Sequence, residues 1–190
     1  EAALNANIAC FNVESAAEIH RINQVAIRLG KKARISLRVN PDVDAQTHPY
    51  ISTGLKDNKF GIDIALAPQI YAQAAQMAGI RIVGVDCHIG SQLLNLSPYQ
   101  DALTKVLQLI DTLATQGIVI EHLDMGGGMG IAYTADSLAP TAQEYADTIA
   151  PLLAGRNLSL SIEPGRAIVG NAGVLLTTVE YLKPTQHKNF

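Results

Sequence analysis

Tryptophan is absent from this chain, and phenylalanine and tyrosine bring its aromatic content to only 5%, so aliphatic side chains must fill the core. Cysteine is scarce too. Cys10 and Cys87 each sit inside an apolar segment and lack any metal-ligand spacing, which argues against a disulfide scaffold and reads as buried, reduced thiols in a cytoplasmic protein. No apolar run approaches the roughly 20 residues of a membrane span, and Glu1 opens no signal-peptide pattern. Neither sign of charge dominates. Fourteen Lys and Arg against 17 Asp and Glu leave a net charge of -3, no electrostatic footprint for nucleic acid or an anionic membrane surface. The 190 residues suffice for one sizeable core. The chain starts in a helix-like stretch and stops in a β-like one, so it is expected to be a piece of a longer protein.

What is present is alternation. Apolar strands are expected over 8–13, 35–39, 80–88, 118–124 and 158–162, with a longer one over 173–182. Between them run helical patterns with clear punctuation. Ser15 with Glu18 forms a capping box before Ile19, Ile22, Ala26 and Leu29 at helical spacing, and Gly30 closes that helix as a left-handed cap. Pro68 opens a second helix, Ser97-Pro98 caps a third, and Thr141 with Glu144 boxes a fourth. A long polar loop spans 41–61 and holds Asp42, Asp44, His48, Gly54, Lys56, Lys59 and Gly61; loops longer than about 12–15 residues in a compact domain are usually functional or disordered.

Near-continuous apolar strands alternating with helices predict a parallel sheet covered by helices. Polar and glycine clusters sit at the C-terminal end of each strand: Glu14-Ser15, Asn40, His88 to Ser91, Gly126 to Gly128, and Glu163 to Arg166. A doubly wound sheet gathers ligands at one crevice, whereas a (β/α) barrel loads every strand end. The fold expected is therefore α/β, a partial (β/α)8 TIM barrel.

The last cluster is the most suggestive. Glu163-Pro164-Gly165-Arg166 places a carboxylate and a guanidinium at the end of a buried strand, around one residue that constrains the backbone and one that frees it. Arg166 offers a planar fork for a carboxylate or phosphate. A structural ion pair is the bland alternative. Gly126-Gly127-Gly128 is a candidate phosphate nest or, equally, a tight turn needing positive φ; it matches neither the Walker nor the Rossmann pattern. His88, with Ser91 three residues later, is an imidazole able to stack on a flat ring, or a satisfied core histidine. Asp86-x-His88 and His122-x-Asp124 have metal-ligand spacing, so a metal-dependent barrel hydrolase is the runner-up. Glu163 would serve either in a carboxylate pair, with Glu14 the nearest partner, or as the partner of a protonated ring nitrogen, as pyridoxal phosphate requires.

Taken in order, Phe11-Asn12-Val13-Glu14-Ser15, Leu37-Arg38-Val39-Asn40-Pro41-Asp42, Thr47 to Gly54, Lys59-Phe60-Gly61, His88-Ile89-Gly90-Ser91-Gln92, Asp124 to Gly130 and Glu163 to Arg166 cover nearly the whole chain. The set resembles the alanine-racemase-like pyridoxal phosphate-dependent decarboxylases, which include diaminopimelate, ornithine and arginine enzymes. Thr47-His48 and Lys59-Phe60-Gly61 look like the diaminopimelate branch. The resemblance implies pyridoxal 5'-phosphate as cofactor. It implies that His88 stacks on the ring, that Ser91, Gly128, Gly165 and the Arg166 backbone hold the phosphate, with Pro164 in the same motif, that Glu163 pairs with the ring nitrogen, and that the Arg166 side chain contacts a substrate carboxylate. The implied reaction converts meso-2,6-diaminopimelate to L-lysine and carbon dioxide, in a homodimer.

Two departures qualify it. The family's Schiff-base lysine motif is missing, and none of Lys31, Lys32, Lys56, Lys59, Lys105, Lys183 or Lys188 stands at a strand end to replace it. The family's catalytic cysteine, carried in a C-terminal β domain, is missing as well. By resemblance, residues 1–172 correspond to about strands four to eight of the barrel, and 173–190 to the crossing into that β domain. No catalytic residue is expected within these 190, and the isolated chain is expected to be inactive. A small non-catalytic pyridoxal phosphate-binding barrel is a further alternative.

Overall fold

A computed structural model describes residues 1–44 and 59–189. The elements, in order, are α1 (Ala2–Asn5), β1 (Phe11–Val13), α2 (Ala16–Arg28), β2 (Ala33–Asn40), β3 (Ile62–Asp63), α3 (Ala67–Ala75), β4 (Ile80–Asp86), α4 (Ser97–Thr115), β5 (His122–Asp124), α5 (Ala142–Leu153), β6 (Ser159–Ser161) and α6 (Gly165–Val169). All strand pairs are parallel, in the order β1-β2-β4-β5-β6, with the short β3 alongside the end of β2. Spatial order follows chain order, so every crossover steps the same way. That is the winding of a barrel wall; a doubly wound sheet would reverse direction at a switch point.

Local chemistry explains where the helices begin and end. The Ser15 hydroxyl accepts the Glu18 N–H at 3.2 Å, while the Glu18 carboxylate accepts the N–H of Glu14 at 2.8 Å, so this box closes one residue early. Gly30 follows α2 at φ +64°, where a side chain would be strained. Thr141 and Glu144 form the full reciprocal box at α5. The expected Ser97 cap is corrected. Ser97 is the first residue of α4, and its N–H is taken by the Asn95 side chain at 2.9 Å, because Asn95 reaches that donor through a short turn.

The core lies between the sheet and the helices, with Ile19, Leu37, Val85, Leu103, Leu113, Leu123 and Ile149 almost fully buried. Burial of each such side chain is worth about 1.5–3 kcal/mol, so packing and not helix propensity holds α4 in place.

The expected strand over 173–182 is corrected as well. The stretch forms no strand, and Val174, Leu175, Leu176 and Tyr181 are more than nine-tenths exposed. Its aliphatic and β-branched composition suits a strand, but no neighbouring strand among the described residues offers hydrogen bonds or a face to cover it. Strand β5 is shorter than its apolar run, since Ile118 and Ile120 are buried without entering the ladder, and β1 omits Ile8, which is exposed. The loop residues His48, Gly54 and Lys56, and the motif from Thr47 to Gly54, lie outside the described residues.

Candidate active site

Parallel register lines up the strand ends. Arg38 stands opposite Asp86, and Asp86 opposite Asp124, so three charged residues cross β2, β4 and β5 in one row. Glu14 continues that row just past β1, where its carboxylate pairs with the Arg38 guanidinium and accepts the Gly61 N–H at 2.9 Å. Phe60 lies against Arg38, its ring centre 5.3 Å from the guanidinium carbon. These groups, with His88, Gly126 and Glu163, line a cavity of about 430 Å³ at the C-terminal edge of the sheet.

His88 is half-buried, just beyond β4, and its Nδ1 accepts the N–H of Gly127 at 3.1 Å. That bond requires a lone pair on Nδ1, which leaves the proton on Nε2. Burial first, and the nearby Arg38 second, hold the imidazole pKa below its usual value. His88 is therefore a neutral, oriented ring.

The three glycines answer a question that the sequence leaves open. Gly126 donates to Asp124 Oδ1 at 2.8 Å and Gly127 to His88, so two of the three N–H groups already have partners. A Cβ on Gly126 would lie 2.4 Å from the Cys87 carbonyl, and one on Gly127 would lie 2.3 Å from the Glu163 carbonyl. Here glycine lets the ends of β4, β5 and β6 approach each other. Gly128, at φ +101°, is the one of the three whose N–H takes no partner among the described residues.

Asp86 is buried beneath this mouth and accepts the Ser36 hydroxyl at 2.9 Å. Burial pushes its carboxyl up to about 7, against the lowering effect of that hydrogen bond. Cys87, fully buried, has its thiol pushed up to about 12 by the same desolvation and stays protonated.

Glu163 is solvent-exposed at the cavity mouth, and its N–H is tied to the Gly126 carbonyl at 2.7 Å. Pro164 precedes α6 at φ -81° as its N-cap residue. Gly165 donates its N–H to the Glu163 carbonyl at 2.8 Å, and a Cβ there would meet only open space, so Gly165 offers access and not a donor. The Arg166 side chain donates to Ser91 Oγ at 3.2 Å and to the Tyr133 hydroxyl, with the guanidinium carbon 5.8 Å from the Tyr133 ring centre.

Of the residues expected from sequence, His88 and Glu163 share the cavity, and Ser91 and Arg166 meet each other. Asp86, singled out from sequence only for its metal-ligand spacing with His88, lines the cavity with Glu14. Arg38 and Phe60, quoted only within family motifs and given no role, line it as well, and Tyr133 joins Arg166 unannounced. Register would have flagged Arg38 and Asp86, as inward neighbours at strand ends; nothing in the sequence marks Tyr133. Among the described residues, no three His, Cys, Asp or Glu side chains are grouped to hold a metal ion. A neutral flat ring and an exposed carboxylate lining one cavity, with Gly126 at its wall, fit a planar cationic heterocycle that also bears an anionic group.

Comparison with known proteins identifies the class. A model of the pyridoxal-dependent decarboxylase family, pyridoxal binding domain, matches residues 1–170, and the chain belongs to that family. A diaminopimelate decarboxylase from Pseudomonas aeruginosa is 59% identical over 188 residues, covering 99% of this chain and 45% of that protein. The structure of diaminopimelate decarboxylase from Helicobacter pylori complexed with L-lysine is similar at TM-score 0.88 and 44% identity, across 98% of this chain and 47% of that one. A lysine decarboxylase from Selenomonas ruminantium is similar at TM-score 0.75 and 25% identity, across 99% of this chain and 47% of that one. The chain spans just under half the length of these relatives.

Proposed function

We propose that this chain is the cofactor-holding part of a longer decarboxylase that converts meso-2,6-diaminopimelate to L-lysine and carbon dioxide. The observation that carries the reading is that a neutral His88 and the Glu163 carboxylate line one cavity. The 59% identity to a diaminopimelate decarboxylase supports the choice of substrate.

Pyridoxal 5'-phosphate would supply an electron sink for the carbanion left when carbon dioxide departs. Each residue has a definite task towards it. His88 presents its flat face to the ring, and the Gly127 bond keeps that face from turning. Glu163 holds the proton of the ring nitrogen in place by accepting its hydrogen bond. The N–H groups of Gly128 and Arg166, with Ser91, hold the phosphate. Pro164 fixes the turn and Gly165 leaves room for the approach. The Arg166 guanidinium binds a carboxylate of the substrate, where its fork gives direction as well as charge.

Residues 1–172 serve as about the second half of the barrel, and 173–190 lead towards a β domain that covers the exposed apolar side chains of that segment. The lysine that anchors the cofactor and the cysteine of the family lie elsewhere in the longer protein, which works as a homodimer in the cytoplasm. The purified full-length protein should release carbon dioxide from meso-diaminopimelate in preference to ornithine or arginine. Preference for ornithine or arginine would reassign the substrate, and cofactor binding without turnover would make the protein a binding module.

A further inference from the structure

The loops after β4 and β5 are laced together at their bases. The Leu93 N–H donates to the Gly128 carbonyl at 2.8 Å, and the Gly130 N–H donates back to the Leu93 carbonyl at 3.0 Å. One residue extends this lacing beyond the backbone. Gln92 donates its side-chain amide to the Ile131 carbonyl at 2.6 Å, and its side-chain oxygen accepts the Ile131 N–H at 3.1 Å. The amide thus stands in for one residue of a neighbouring strand. Gln92 does this at φ +59°, a conformation that glutamine rarely adopts.

The two ends of this splint flank the same guanidinium. Ser91 immediately precedes Gln92 and accepts from Arg166 at 3.2 Å. Tyr133 stands two residues past Ile131 and accepts from the other guanidinium nitrogen. The separation of Ser91 and Tyr133, and hence the direction in which the fork points, is set by what joins their loops.

We infer that Gln92 is a positioning residue for Arg166: its amide splints the two loops so that Ser91 and Tyr133 aim the guanidinium. The consequence for substrate, that this aim serves a carboxylate, rests on the function proposed above. Only an amide of this length suits the place. Asparagine is one methylene short, and glutamate keeps the acceptor for the Ile131 N–H but sets a charged oxygen against the Ile131 carbonyl.

The test uses the full-length enzyme with Gln92→Gly, which relieves the backbone strain while deleting the splint, and with Gln92→Glu. The first readout is the Arg166 side chain in a crystal structure of Gln92→Gly, which is independent of turnover. The guanidinium is expected to lose Ser91, Tyr133 or both. An Arg166 side chain unmoved from both partners overturns the inference. The second readout is kinetic. With Arg166 displaced, KM for diaminopimelate at saturating pyridoxal phosphate should rise about tenfold, with kcat within about twofold. Displaced Arg166 with unchanged KM keeps the splint but removes the carboxylate role from Arg166. Gln92→Glu should recover a low KM as pH falls, because a protonated carboxyl again offers Ile131 both a donor and an acceptor; failure to recover, with the fold intact, counts against the splint.

Discussion

The N–H of Gly127 points at Nδ1 of His88 from 3.1 Å, and this one bond sets both the tautomer and the tilt of the imidazole at the cavity mouth. A protonated ring would lose the bond. The His88 resonance should therefore titrate with a midpoint below the usual histidine value of 6.5. Because folding depresses this pKa, the contribution of His88 to stability is present above 6.5 and fades as pH falls through its folded midpoint. Arg38→Gln should move the midpoint back up, since Arg38 is the second cause of the depression. Proton-detected titration of the two proteins checks both statements; an unchanged midpoint in Arg38→Gln would show that burial alone is responsible.

Gly127→Ala should disturb the same contact from the other side. Its Cβ would stand 2.3 Å from the Glu163 carbonyl, a backbone atom with no easy retreat. Overpacking of this kind costs about 1–3 kcal/mol. Denaturant unfolding should register that loss, and affinity for pyridoxal phosphate should fall with it, because the shifted strand end carries Glu163.

Asp86 predicts a pH slope of the opposite sense to His88. Its pKa is raised on folding from 3.8 to about 7, so the folded state favours the protonated form. Stability is then full below about 4 and is lost as pH rises towards 7, at up to ~1.4 kcal/mol per pH unit. Asp86→Asn keeps an oxygen for the Ser36 hydroxyl and should flatten that slope. Urea midpoints measured between pH 4 and pH 7 decide the matter.

Two tyrosines in edge-to-face contact, with ring centres 5.0 Å apart, should respond oppositely to loss of their hydroxyls. The Tyr99 hydroxyl donates to the Gly127 carbonyl at 3.0 Å, so Tyr99→Phe leaves a buried carbonyl bare and costs about 1–2 kcal/mol. The Tyr145 hydroxyl is buried without a hydrogen-bond partner among the described residues, so Tyr145→Phe should be neutral or stabilising. Thermal unfolding of the two variants gives the signs directly.

Arg166→Lys replaces a fork with a point charge, which holds Ser91 or Tyr133 but not both in the present geometry. KM for diaminopimelate should rise about 10- to 100-fold, the equivalent of ~1.5–3 kcal/mol for a charge-assisted hydrogen bond. Steady-state kinetics with kcat largely kept would fit a binding role; an equal loss in kcat would place Arg166 closer to the chemistry.

Much of this was legible before the structure because it is encoded locally. The boxes at Ser15 and Thr141, the left-handed Gly30, and the polar residues ending each strand depend on neighbours a few positions away. His88, Ser91, Glu163 and Arg166 stood out as chemistry-bearing groups at strand ends. What stayed hidden depends on register and on loop meeting loop. Arg38, Asp86 and Asp124 form a row only once β2, β4 and β5 pair. Gly126 and Gly127 read equally as a phosphate nest or a tight turn until their donors find Asp124 and His88. Tyr133 and Gln92 acquire meaning only when two loops about 40 residues apart are laced together. The segment over 173–182 has a strand's pattern without a strand's partner, and pattern alone does not supply one.

We propose that Glu163, which lines one cavity with a neutral His88, sustains decarboxylation of diaminopimelate in the full-length protein. Carbon dioxide release from meso-diaminopimelate by the full-length enzyme, compared with its Glu163→Gln variant at saturating pyridoxal phosphate, tests it most directly. The parent should release carbon dioxide, and kcat should fall about 100-fold or more in the variant with cofactor still bound, since an amide would no longer keep the ring nitrogen charged. Equal turnover by the two proteins, or no release by the parent, would contradict it.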